Sequence, residues 1–168
     1  MADGTDPHSE AEALEKLHPD AWRWAMHLVH GDREFAQDVL HDAYLLILDR
    51  RAKWRGTSTF KTFVFGVIRM TARGQRRKRA LMSFRFPRWQ NEDVPARGHP
   101  DPILQGTLNA MAELPKRQAE IAELVFAQDL TLEEAASVMG VSLGSARTHY
   151  ARAKVRLREL LNVEVSHD

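Results

Sequence analysis

Apolar residues in this chain recur at helical spacing and show no sustained alternation of period two, so the pattern predicts helices and no strands. Leu14, Leu17, Ala21, Trp24, Ala25 and Leu28 share one helix face that ends near Gly31, and Asp32 is placed to cap the next helix. In that second helix Phe35, Val39, Ala43, Leu46 and Ile47 form an apolar face. Asp38, His41, Asp42, Leu45 and Asp49 fall on its other side as an acidic stripe holding one leucine; taken alone, such a stripe is a solvated face. A third helix starts after Thr57, Ser58 and Thr59, any of which can cap it, and runs from Phe60 to about Arg79. Its buried side is predicted to be Phe60, Phe63, Val64, Val67, Ile68 and Thr71. Phe65 groups instead with Arg69, Arg73 and Arg76, which suggests an exposed aromatic beside cations.

Proline and glycine then interrupt the periodicity across FPRWQNEDVPARGHPDPILQG, which reads as a linker. The expected organisation is therefore all-α: a first helical domain at 1–85, a flexible linker at 86–106 and a second helical domain at 107–168. In the second, Pro115 is expected in the first turn of a helix whose core face carries Ile121, Leu124 and Val125. Thr131 and Glu134 have the spacing of a capping box, Gly140 that of a C-terminal stop and Ser142 that of a new cap. Together they spell a helix-turn-helix, with Val138, Val141, Ala146 and Tyr150 filling the angle between its helices. The free face of the last helix carries Ser142, Leu143, Gly144, Ser145, Arg147, Thr148 and Arg152, residue types suited to base edges in a major groove. Lys154, Arg156 and Arg158 extend that face toward phosphates.

Charge sharpens this picture. The formal net charge is only +1, yet residues 51–90 hold twelve Lys or Arg, no Asp or Glu, and seven of the chain's Trp and Phe. Cations neutralise phosphates while aromatic faces accept unstacked bases, so this segment suits an opening or single-stranded nucleic acid. The absence of cysteine excludes disulfides, cysteine zinc sites and thiol nucleophiles. The acidic N-terminal stretch lacks an apolar core like that of a signal peptide, and no stretch is apolar for long enough to span a bilayer, so a cytoplasmic chain with no membrane insertion is expected. His27 and His30 can share a helix face, with His41 near in sequence, but such histidines are ordinarily packing or surface residues. Neither an enzyme, a metal nor a cofactor is expected.

Two stretches, EFAQDVLHDAYLLILDRRAKWRGTSTFKTFVFGVIRMTARGQRRKR and LPKRQAEIAELVFAQDLTLEEAASVMGVSLGSARTHYARAKVRLREL, in that order, resemble the extracytoplasmic-function class of bacterial sigma factors. The resemblance implies a subunit that directs RNA polymerase core to promoters. Asp38, His41, Asp42, Leu45 and Asp49 would then meet the clamp helices of the large polymerase subunit, and the C-terminal domain would meet the flap. Trp54, Arg55, Lys61, Phe65, Arg69, Arg73, Arg76 and Arg77 would bind and open the minus-ten element, and the helix from Ser142 would read the minus-thirty-five element. An anti-sigma factor is the further partner implied, and the linker would run toward the polymerase active centre. Two departures stand out: Met70 and Gly74 occupy positions where the family often carries Asn and Asp, removing groups that hydrogen-bond a base edge, and Phe63 stands for a frequent Trp. The alternatives are a sigma-like mimic that sequesters an anti-sigma factor and a free-standing helix-turn-helix regulator that binds duplex DNA without polymerase.

Overall fold

The computed structural model describes residues 7–83 and 102–165, all of them helical or in turns and bends between helices. Two compact units divide at Gln90 and Asn91. The first holds α1 (Pro7–Leu28), α2 (Arg33–Leu48) and α3 (Phe60–Ser83), each packed on the other two. Polar side chains and left-handed backbone set the ends of these helices. After α1, His30 and Gly31 take positive φ, and the Gly31 amide returns to the Met26 carbonyl at 2.9 Å. Asp32 Oδ1 then accepts the Phe35 amide at 2.9 Å, capping α2. Thr59 is the residue of its trio that caps α3, accepting the Thr62 amide at 3.2 Å.

Trp24, Val39, Ile47, Val64, Phe65 and Ile68 are the fully enclosed centre of this unit. Trp24 stacks on Phe65 with centroids 6.0 Å apart and donates its indole N–H to the Phe65 carbonyl at 3.2 Å, tying α1 to α3. Glu10, nearly buried, is offset by Arg50 at 3.7 Å.

The second unit contains α4 (Pro102–Ala112), α5 (Lys116–Ala122), a π-helical turn (Glu123–Ala127), α6 (Leu132–Met139) and α7 (Leu143–Val165). Helices α4, α5 and α6 all pack on α7. Residues 102–106, expected in the linker, instead open α4. Pro102 stands at the helix start, where its missing N–H is harmless, and packing of α4 on α7 outweighs the penalty of about 1 kcal/mol for Gly106. The rest of the linker assignment, 86–101, lies outside the described residues. Pro115 is the cap of α5, one position before the first turn, with φ −54 and ψ 142.

The helix-turn-helix forms as its local signals require. Thr131 Oγ1 accepts the Glu134 amide at 3.2 Å while Glu134 returns a carboxylate oxygen to the Thr131 amide at 2.9 Å. Gly140, at φ 63 and ψ 40, ends α6 in the left-handed conformation, and Ser142 Oγ accepts the Ser145 amide at 3.1 Å to start α7. Ala135, Ala136, Ala146 and Ala153 are buried, and their small side chains let α6 and α7 cross closely.

Candidate nucleic-acid interface

On α2, Asp38, His41, Asp42, Leu45 and Asp49 are all exposed and share one side of the helix. Leu45 is 44% exposed, and Leu48, which the sequence reading left out, is 41% exposed beside it, so the stripe has an apolar part as well as charge. Its other border is the end of α3. Arg79 reaches Asp38 at 3.0 Å and Asp32 at 3.8 Å, with its guanidinium 3.7 Å from the Phe35 ring centroid. Gln75 donates to Asp42 at 2.6 Å. These five polar side chains form a seam along the stripe, not a bare row of carboxylates. Tyr44, on the next turn of α2, has its phenol pushed up to about 12 by burial and meets His18 Nδ1 at 3.0 Å.

The basic segment divides differently from the sequence expectation. Phe65 is 0% exposed and Arg69 is buried, so neither can meet a nucleic acid from the surface. Positions 65, 69 and 76 lie within about 40° of one another around a helix, whereas 73 has drifted about 80° from 65 and leaves the core. Arg76 is half-buried and donates to the Leu28 carbonyl at the end of α1. Lys61 is engaged by Asp20 at 2.8 Å and lies 5.4 Å from the Phe65 centroid. Arg55, Arg73 and Arg77 are exposed, together with Lys53 and Lys78.

An aromatic surface does exist here, built by other rings. Trp54 is half-buried, its N–H held by the Ser58 carbonyl at 2.9 Å, and it meets Phe60 edge-on at 5.5 Å. Phe60 in turn contacts Phe63 at 6.1 Å. Periodicity places Phe60 and Phe63 on the buried side, yet both are partly open to solvent beside the basic loop that carries Lys53 and Arg55. Only the fold brings Trp54 next to them, so periodicity within α3 could not reveal the cluster.

In the second unit Ser142, Gly144, Ser145, Arg147, Thr148 and Arg152 are exposed on the first turns of α7, and Leu143 is half-buried. Ser142 and Ser145 are bonded to each other at 3.0 Å, and Thr148 donates to the Gly144 carbonyl at 3.0 Å, which leaves its lone pairs outward. Arg147 and Arg152 extend from the same surface. Further along α7, Lys154 lies 4.7 Å from the Tyr150 ring centroid and Arg156 pairs with Glu159 at 3.4 Å. Phe126, on the π-helical turn, is 50% exposed against Tyr150, an apolar point that the sequence pattern did not mark. Among the described residues no three His, Asp or Glu are grouped to hold a metal ion, and no helix is long and apolar enough to cross a membrane. His27 stacks on Trp24 with centroids 5.5 Å apart.

The first unit's three helices and the second unit's helix-turn-helix define a two-module, DNA-directed transcription protein. Residues 13–81 match the family model for sigma-70 region 2, and residues 104–157 match that for sigma-70, region 4. The ECF RNA polymerase sigma factor ShbA of Streptomyces griseus subsp. griseus is 27% identical, over 92% of this chain and 88% of that protein. Among solved structures, the sigma factor RpoE of Bartonella quintana, in complex with the anti-sigma factor NepR, superposes with a TM-score of 0.74 at 25% identity, covering 91% of this chain and 96% of that one. CnrH, in complex with the cytosolic domain of CnrY, shares the fold with a TM-score of 0.65 at 15% identity, covering 95% and 91% of the two chains. The chain belongs to the extracytoplasmic-function class of sigma factors, subunits that direct RNA polymerase to promoters and initiate transcription.

Proposed function

We propose that the work of this sigma factor divides among three surfaces. The α2 stripe of Asp38, His41, Asp42, Leu45 and Asp49, extended by Leu48, docks on the clamp helices of the large polymerase subunit. The exposed part of the basic segment, Trp54, Arg55, Arg73 and Arg77 with Phe60 and Phe63, takes the minus-ten element. Ser142 through Thr148, with Arg152, reads the minus-thirty-five element as duplex, and the same C-terminal module contacts the flap. Phe65 and Arg69 drop out of the DNA surface because they are buried; Arg76 and Lys61 act by holding α3 in place. The protein works in the cytoplasm without catalysis of its own, and a polypeptide anti-sigma factor holds it inactive, a reading supported by the complex of the Bartonella quintana sigma factor with its anti-sigma factor.

One observation carries this reading. Within a single unit the exposed acidic and leucine side of α2 abuts a helix whose outward face is cationic, so docking on one protein surface presents the other to DNA. Reversing Asp38 and Asp42 to Lys should therefore abolish pull-down of purified core polymerase while the far-ultraviolet circular dichroism remains that of the wild type. Undiminished association of the doubly substituted chain with core would remove the α2 assignment.

A further inference from the structure

Met70 is 73% exposed, the most exposed of the large apolar side chains in the described residues, and no packing accounts for it. It lies in the middle of α3, two turns before Arg77 and almost in line with it, since seven residues advance a helix by about two full turns and 10 Å. Arg73 and Gly74 fill the turn between them, and all four positions face outward, Gly74 with nothing within 4 Å of where its Cβ would be. A glycine there weakens the helix and answers no steric need of the fold, but it lets a strand approach the backbone beside Met70.

An apolar knob among cations, in a segment without acidic residues, fits one kind of partner best. A protein surface receiving Met70 would have to supply counter-charges to Arg73, Arg77 and Lys78 around an apolar pocket. A nucleic acid supplies both features at once: phosphates for the arginines and, between neighbouring bases, an apolar slot. Side chains of this type, methionine included, enter base steps and unstack them, and methionine's unbranched, polarisable chain adapts to the slot. Gly74 offers no side-chain hydrogen-bonding group and Met70 only a weakly accepting thioether, so the pair is suited to separating bases more than to naming them.

We propose that Met70 is the strand-opening wedge of this sigma factor: it enters a base step of the minus-ten element while Arg73 and Arg77 hold the backbone and Gly74 gives the strand room. The proposal rests on the reading of α3 as the minus-ten surface. It follows that Met70 governs opening of paired DNA and has little effect once the strands are apart.

The test reconstitutes holoenzyme from cognate core and the full chain on a promoter defined by start-site mapping after overproduction. Fully paired template is compared with template carrying a mismatched bubble over the minus-ten element, with permanganate reactivity of thymines and run-off yield as readouts. Met70→Ala and Met70→Asn should lower opening of the paired template about tenfold or more and run-off from the bubble by no more than about twofold, while Met70→Leu stays within about threefold of wild type on both, as loss of unstacking by an apolar wedge requires. Equal loss on both templates, or no loss on either, would overturn the wedge and leave the sigma assignment standing. A wild-type chain inactive on both templates would overturn the assignment of α3 and the wedge with it. Because Met70 is exposed, its replacement leaves the fold intact, which matching thermal unfolding curves will verify.

Discussion

At the scale of single residues, Trp24 and Phe65 decide what α3 can do. Stacked on each other and joined by the indole hydrogen bond, they fix the rotation of α3 about its own axis. That rotation turns position 73 outward and positions 65 and 69 inward. A ring buried on all sides contributes packing, so Phe65→Ala should cost about 3–5 kcal/mol of unfolding free energy. Chemical denaturation of the full chain measures this; a change below about 1 kcal/mol, in the range of an exposed site, would contradict the burial. The sequence could not assign Phe65 because positions three and four apart drift around a helix. A row beginning with Phe65 and Arg69 crosses from core to surface within three turns, and only the partner helix fixes where it crosses.

At the scale of elements, the helix-turn-helix was legible and the seam between α2 and α3 was not. Thr131, Glu134, Gly140 and Ser142 act on amides and backbone angles within a few residues of themselves, so their spacing alone marked the ends of α6 and α7. The contacts of Arg79 with Asp38 and of Gln75 with Asp42 join residues that are distant in sequence, and the Trp54, Phe60 and Phe63 cluster depends on the loop before α3 folding back. Helix α4 is hidden from the sequence pattern for the opposite reason: Pro102 and Gly106 are local breakers overruled by packing on α7. For α7 itself the geometry makes a sharp expectation. Arg147 is exposed one turn beyond the capping serines, where a recognition helix meets base edges. Arg147→Ala should cost about 1–3 kcal/mol on the preferred minus-thirty-five sequence and flatten the preference at one position. Binding across a panel of single-base promoter variants checks this; a uniform loss over the panel would make Arg147 a phosphate contact.

At the scale of the whole molecule, the near-zero net charge conceals the functional design. Residues 1–50 carry four basic and eleven acidic side chains and residues 51–90 twelve and none, and among the described residues the exposed Asp38 and Asp42 of α2 lie beside the cationic end of α3 in the same unit. On the proposed assignment of surfaces, that separation would let one small unit present unlike faces to polymerase and to DNA, while the second of the two units would read duplex. Such a chain is expected to bind promoters well only as part of the polymerase that it directs. Isolated, it is expected to hold promoter DNA weakly, and the outward-facing cations of α3 and α7 make that binding strongly dependent on salt.

The most direct test is run-off transcription with cognate core on a promoter whose minus-ten and minus-thirty-five elements are scrambled separately. The account predicts a discrete start that requires core, this chain and both elements together. Tight, sequence-specific binding of the isolated chain, with no start when core is added, would contradict it.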